Sequence, residues 1–310
     1  MLKRDNLPLV VVLGPTAVGK TKVAVNLAHR IEGEVISADS RQVYRKMDIG
    51  TGKDLNEYRI GEKNVPYHLI DILEAGEEYD LFNFQRDFYQ AVADVQFRAK
   101  VPILCGGTGM YLEAAISPFQ LLEVPEDNDL RKELASMSLT ELEEILRSLN
   151  PDLHNTTDTE DRNRAIRAIE IEKYKKEHQP ERSAIQNYRL YGIRMDREQL
   201  RSRIKERLDQ RLQEGMIKEV ESLLNDGIEA DKLFYYGLEY RYIAQYLIGE
   251  IDYNQMYTSL LQGIRRFAKK QMTWYRRMEK KGEDILWFDA NEGIEKICQK
   301  IIKDLENATI

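Results

Sequence analysis

Apolar residues in the first third of the chain fall into two alternating periods. Leu9–Leu13 is an unbroken apolar run, which predicts a strand buried on both faces. Residues 20–31 then place Val23, Ala24, Leu27, Ala28 and Ile31 at helical spacing. Val35-Ile36 predicts a second short strand ending near Asp39. Residues 83–99 carry Phe84, Phe88, Ala91 and Val95 on one helical face, and Val101–Leu104 predicts a further strand stopped by Gly106-Gly107. Strand and helix in strict alternation imply a parallel sheet with right-handed crossovers, so the fold class is α/β.

The middle of the chain changes character. From about Pro118 to Tyr188 the pattern is helical and no strand is predicted. Ser138-Leu-Thr-Glu141 is a capping box ahead of Leu142, Ile145, Leu146 and Leu149, and Asn150-Pro151 ends that helix. Residues 161–178 predict a second, heavily charged helix. Tyr188–Met195 returns to strand, and long helices dominate from there to the C-terminus. The expected organisation is an α/β core of residues 1–117 and 189–310 with a helical C-terminal part, interrupted by a helical insertion domain of residues 118–188.

Hydrophobic content of 42% supports a packed core. Cys105 and Cys298 are too few for a disulfide framework or a cysteine-based metal site, so a reducing, cytoplasmic setting is expected. The run Leu9–Leu13 is too short for a signal segment or a membrane span. The net charge of −7 alone argues against a nucleic-acid partner, but the charge is unevenly placed. Arg265, Arg266, Lys269, Lys270, Arg276, Arg277, Lys280 and Lys281 share one segment with Glu279 as its only acid. A second basic segment holds Arg189, Arg194, Arg197, Arg201, Arg203, Lys205, Arg207 and Arg211. An acidic chain can still present a basic groove. In the first segment Leu261, Ile264, Phe267, Ala268, Trp274 and Tyr275 form an apolar stripe, which predicts core. His68 and His154 are expected to be structural.

Gly14-Pro-Thr-Ala-Val-Gly19-Lys20-Thr21 matches the phosphate-loop pattern G-x-x-x-x-G-K-[ST], between a predicted strand and a predicted helix. Its backbone N–H groups, from Gly14, Thr16, Ala17, Val18 and Gly19 into the helix, would cradle an anion. Lys20 would add a charge, and Thr21 would offer a hydroxyl to Mg²⁺. The motif implies a di- or triphosphate ligand, not hydrolysis of one. A nucleotide hydrolase carries a second acid at a strand end to hold Mg²⁺, and here that strand ends in Cys105-Gly-Gly-Thr108. Asp39 leaves the second strand on the same side of the sheet, where ligands of parallel sheets bind; an N-cap or salt-bridge role fits that position equally well.

Six segments, taken in order, resemble the tRNA dimethylallyltransferase (tRNA isopentenyltransferase) family of bacterial type. They are Gly14–Thr21, then Asp39-Ser40-x-Gln42-x-Tyr44 running into Met47–Lys53, then Val65–Asp71. Pro102–Tyr111, Asp161–Glu170 and Arg265–Trp274 follow. The resemblance spans most of the chain and implies a P-loop NTPase-like core. It implies transfer of a dimethylallyl group from dimethylallyl diphosphate to N6 of the adenosine 3′ of the anticodon, with Mg²⁺ as cofactor, by a cytoplasmic, monomeric enzyme with no membrane partner. It makes Asp39 the general base that takes the N6 proton, with Thr21 beside it in catalysis. Residues 14 and 16–21, with Arg241, would hold the diphosphate. Asp39, Ser40, Arg41, Gln42 and Thr108 would contact the target nucleotide. Arg131, Asn163, Arg164 and Arg167 of the insertion, with Arg265 and Lys269, would contact the tRNA anticodon stem-loop.

The chain also departs from the family. Where the family reads Gly-Tyr-Lys/Arg-Gln, this sequence reads Glu239-Tyr240-Arg241-Tyr242. Three other readings stay open on sequence: a small-metabolite kinase, a prenyltransferase acting on free adenine nucleotides, and an RNA-binding module with a vestigial loop.

Overall fold

The computed structural model describes residues 8–151, 161–183, 185 and 187–308; His154 lies outside them. The strands are β1 Leu9–Leu13, β2 Gly33–Ala38, β3 Arg59–Ile60, β4 Lys63–Asn64, β5 Tyr67–His68, β6 Val101–Gly106, β7 Tyr188–Arg194 and β8 Ile285–Asp289. The helices are α1 Lys20–Ile31, α2 Leu81–Phe97, α3 Gly109–Ile116, α4 Asn128–Leu134, α5 Leu139–Leu149, α6 Arg162–Glu177, α7 Arg197–Glu214, α8 Met216–Asn225, α9 Ala230–Tyr235, α10 Leu238–Leu247, α11 Tyr253–Lys280 and α12 Ile294–Ala308. No described helix is long and apolar enough to cross a membrane.

Six strands form one parallel sheet in the order β5-β2-β6-β1-β7-β8. Every residue of β1, β2 and β6 is buried, the polar Glu34 and Ser37 of β2 included. The chain steps one way from β1 to β2 and back to β6, so right-handed crossovers put α1 and α2 on opposite faces. The C-termini of β1, β2 and β6 therefore open onto one edge, with the phosphate loop, Asp39 and Gly107-Thr108 following directly. α12 packs on α1, where Arg30 pairs with Glu295 and the Cys298 thiol faces the Val23 carbonyl at 3.7 Å.

Two expectations change. The C-terminal stretch is not purely helical, because Ile285–Asp289 adds β8 beyond β7. This short run sits between two helices, where local pattern is weakest. In the apolar stripe of α11, Ile264, Ala268 and Tyr275 are buried, but Phe267 is 45% exposed. A 100° step per residue carries position 267 off the face that holds 264, 268, 271 and 275.

The chain divides into two compact units, Ser117–Ser183 and the remainder. The smaller has its own core of Leu130, Leu134, Leu142, Leu146, Ala165, Ile166 and Ile169. Its α5 carries the predicted capping box, with Ser138 and Glu141 bonded reciprocally.

Two polar networks shape the long segment after β2. The Lys53 ammonium, 1% exposed, donates to the Tyr44 carbonyl at 2.7 Å and to Asp48 at 2.6 Å, and it also pairs with Asp71. Glu219 on α8 accepts the consecutive N–H groups of Asp48, Ile49 and Gly50 at 2.8, 2.7 and 2.9 Å, and the Tyr240 hydroxyl at 2.7 Å. Glu219→Ala strands three amides and a phenol, and it should lower the unfolding free energy by about 2–3 kcal/mol. Urea unfolding checks this; a change near zero would show that water replaces the carboxylate at no cost.

Candidate active site

The phosphate loop turns sharply between β1 and α1. Ala17 and Gly19 both take left-handed backbone angles, at φ 63° and 96°, and Gly19 caps α1 without any side-chain hydrogen bond. The first intrahelical bond is Val23 N–H to the Gly19 carbonyl at 3.3 Å. The N–H groups of Lys20, Thr21 and Lys22 thus precede the helical ladder, and the helix dipole adds positive potential there. Thr16 differs from its expected role: its N–H is held by the Gln271 side-chain oxygen at 2.8 Å, so it is not a free loop donor. Burial lowers the affinity of the Lys20 amine for its proton, and Arg207 adds to that, while Asp39 and Asp54 oppose it. An arriving diphosphate would restore the charge.

Arginines reach the loop from α7. Arg203 points at the Val18 carbonyl at 3.4 Å, and Arg207 pairs with Asp54. Arg211 lies against Gly52, where any Cβ would overlap its guanidinium and where φ is +64°. Burial, with Arg207 as a neighbour, holds the Arg211 guanidinium below its usual value. A cleft beside the loop is lined by Thr16, Ala17, Arg207, Arg211, Glu239 and Ile264, among others. Two like charges brought together out of water form a site that an anion would stabilise.

Arg241 is not among these residues. It is exposed and donates to the Phe234 carbonyl at 3.3 Å, because α10 turns residue 239 inward and residue 241 outward. The cations at the loop are therefore Arg203, Arg207 and Arg211, whose four-residue spacing beside buried Leu200, Ile204 and Leu208 was the available sequence signal. Glu239 faces the cleft. Burial pushes its carboxyl above the usual range, and Asp39 adds to the effect against Arg211 and Arg207.

Asp39 follows β2 directly. Its carboxylate accepts the Arg41 N–H at 2.9 Å. Ser40 N–H donates to the Thr108 hydroxyl at 3.2 Å, and Thr108 N–H to the Ala38 carbonyl at 3.3 Å, so the ends of β2 and β6 are stitched together. The Gln42 side chain accepts from Ser37 at 3.1 Å and donates to the Gly52 carbonyl at 3.1 Å. Tyrosines surround this corner. Tyr44 meets Tyr236 edge-on at 4.7 Å, and Arg41 lies 4.9 Å above the Tyr235 ring. Burial and nearby charges, Asp39 included, raise the Tyr111 phenol. The buried Tyr44 hydroxyl has no partner among the described residues.

At the end of β6, burial pushes the Cys105 thiol up to about 12, so it stays protonated beside Lys20. Among the described residues no group of three acids, histidines or cysteines could hold a metal unaided. Thr21 in the first turn of α1 still suits Mg²⁺ held mainly through substrate phosphates and water.

Arg131 and Arg167 of the insertion are structural ligands of one carboxylate. Glu170, 3% exposed, receives Arg131 at 2.7 and 2.9 Å and Arg167 at 3.0 Å. Burial opposes its ionisation, yet the two guanidinium groups hold its carboxyl below the usual range. Arg167 also donates to the Val124 carbonyl at 2.7 Å. Asn163 and Arg164 are exposed on the first turn of α6, and Lys269 is exposed on α11. Arg265 is half-buried, with its Nε lacking a partner among the described residues. His68 pairs with Glu34 at 2.7 Å at the sheet edge, away from these groups.

The family model described as IPP transferase matches residues 42–278, and one described as isopentenyl transferase matches residues 7–65. The chain is 54% identical over 285 residues to a protein named tRNA dimethylallyltransferase 2 from Trichlorobacter lovleyi, covering 91% of this chain and 92% of that one. It is 50% identical over 297 residues to the protein of the same name from Porphyromonas gingivalis, covering 95% and 98%. Among solved structures it resembles the tRNA isopentenylpyrophosphate transferase of Bacillus halodurans, with a TM-score of 0.70, 35% identity and coverage of 97% and 98%.

If α7 supplies the cations of the cleft, Arg207→Ala and Arg211→Ala should each weaken binding of inorganic diphosphate by about tenfold or more. Arg241→Ala should change it less than about twofold. Calorimetric titration separates the two, and the reverse ranking would return Arg241 to the site.

Proposed function

We propose, from the premise that the chain belongs to the IPP transferase family, that it transfers the dimethylallyl group of dimethylallyl diphosphate to N6 of the adenosine 3′ of the tRNA anticodon. The bond from C1 to the diphosphate oxygen breaks, the C1–N6 bond forms, the N6 proton leaves, and diphosphate is released. The observation that carries the reading is the juxtaposition at the sheet edge. Asp39 stands beside a complete phosphate loop, while a neutral thiol, Cys105, occupies the strand end where a nucleotide hydrolase carries an acid.

Charge develops on the leaving diphosphate as the allylic carbon becomes cation-like. The first N–H groups of α1, Lys20, Arg207 and Arg211 are preorganised to take up that charge. Mg²⁺, held by Thr21 and the diphosphate, would neutralise more of it. The buried rings of Tyr44, Tyr111 and Tyr236 keep water from this corner. Asp39 takes the proton from an amine whose lone pair is delocalised into the purine ring. Ser40, Gln42 and Thr108 hold that corner in place, and the target base must leave its stack to enter it.

The acceptor is tRNA rather than a free nucleotide, on the strength of exposed basic side chains on both units: Arg164 on α6, with the polar Asn163 beside it, and Arg266, Lys269 and Lys270 on α11. Each neutralised phosphate releases counterions and adds salt-dependent affinity that a mononucleotide cannot use. The enzyme acts as a cytoplasmic monomer in this reading.

Asp39→Asn keeps the shape and removes the proton acceptor, so kcat should fall by at least about 10² with tRNA affinity little changed. Labelled dimethylallyl diphosphate offered with unmodified tRNA, an anticodon stem-loop or AMP tests the acceptor. Efficient labelling of AMP alone, or turnover that consumes ATP, would sink the tRNA reading. Arg164→Glu should raise KM for tRNA and flatten its salt dependence. Arg167→Glu should instead destabilise the smaller unit, because it drives a second carboxylate against Glu170.

A further inference from the structure

Gln271 lies on the buried side of α11, 6% exposed. Its side-chain oxygen accepts the Thr16 N–H at 2.8 Å, and its side-chain nitrogen donates to the Gly107 carbonyl at 2.9 Å. The partners fix the orientation of the amide, because a backbone N–H can only donate and a backbone carbonyl can only accept. A Cβ at Gly107 would overlap the Gln271 nitrogen, so a side chain there would displace the amide. One turn further on, the Tyr275 hydroxyl faces the Gly14 carbonyl at 3.1 Å and the Gly107 carbonyl at 3.4 Å.

The two groups that Gln271 joins belong to opposite partners of the reaction. Thr16 is part of the loop that would hold the leaving diphosphate. Gly107 immediately precedes Thr108, whose hydroxyl fixes Ser40 beside Asp39. The β1–β6 ladder ends at the Leu13–Gly106 pair, and the Thr16 N–H and the Gly107 carbonyl lie beyond it. An apolar side chain of similar volume would fill the space but leave a buried amide and a buried carbonyl unpaired. Transfer needs the amine, C1 and the departing oxygen in line, and a displacement of about 1 Å costs on the order of 10² in rate.

We propose that Gln271 is a positioning residue for the transfer: its amide sets the spacing between the donor loop and the Thr108–Ser40–Asp39 side of the site. The inference rests on the reading of those two loops given under Proposed function. It predicts a chemical signature that packing alone does not produce. In Gln271→Glu the carboxylate still accepts from Thr16 but meets the Gly107 carbonyl without a hydrogen. The neutral acid donates to it as the amide does. Burial favours that neutral form, so acid conditions restore both bonds.

The test is kcat of Gln271→Glu divided by kcat of the parent, both at saturating substrates, from about pH 6 to about pH 8.5. The parent's own pH dependence cancels in the ratio. The ratio should approach one at the acid end and fall at least about tenfold toward the alkaline end. Gln271→Asn keeps both polar groups on a stem one methylene shorter. It should lower kcat by at least about tenfold while inorganic diphosphate binding stays within about threefold. A ratio that does not move with pH, at whatever level, overturns the proposal, and so does Gln271→Asn with parental kcat. The parent's labelling of tRNA reads the proposed reaction, and the ratio is taken on whichever acceptor the parent prenylates. Failure of one is therefore visible apart from the other.

Discussion

Buried strand ends leave backbone polar groups that must find partners, and this chain meets that demand from a single helix. β1 and β6 lie side by side and finish in turns with almost no side chains of their own. The carbonyls of Gly14 and Gly107, and the N–H of Thr16, would be orphaned there at a cost comparable to several lost hydrogen bonds. α11 answers with Gln271 and Tyr275. A helix some 250 positions away in sequence thus holds the phosphate loop in shape, and the loop's remaining amides are left free for an anion. The phosphate loop, the turn after β6 and α11 form one polar unit, in which shifting any member exposes the others.

Charge follows the same economy. Around the loop the protein gathers Lys20, Arg207 and Arg211 in partial isolation from water, a costly arrangement unless an anion arrives. Asp54 already pairs with Arg207, and Glu239 faces the same cleft. The Asp54 carboxylate thus offsets part of this positive charge within the protein itself. Glu239 brings a carboxyl whose ionisation burial disfavours. A neutral carboxyl can donate to a phosphate oxygen, whereas a carboxylate would repel it.

The smaller unit shows that equal charge does not bring equal surroundings. Arg131, Arg164 and Arg167 are equivalent by charge and share the resemblance to RNA-contacting positions. Two of them are consumed by Glu170, which is buried and therefore needs both guanidinium groups to stay ionised. Only the exposed Arg164, on the first turn of α6, keeps its side chain without a partner among the described residues. After β2, Lys53 is a fully buried tie between Tyr44, Asp48 and Asp71.

Local pattern determined a good deal by itself. The unbroken run Leu9–Leu13, the loop Gly14–Thr21 and the helical period after it reach only neighbours in sequence, so β1, the loop and α1 were legible before any fold was known. The same holds for the capping box at Ser138 and for Asp39, which the alternation of strand and helix sends to the ligand edge. What tertiary structure alone decided are the partners. Arg241 turned outward and Arg207 and Arg211 inward because helix phase is set by packing, not by charge. Short β8 became a strand because β7 offered it a ladder. Gln271 sits on the buried stripe of Ile264, Ala268 and Tyr275, and its polarity there was the one trace in the sequence of a missing partner. That its partners are Thr16 and Gly107 follows from the folding of α11 across the strand ends, a contact at a sequence separation no periodicity can reach.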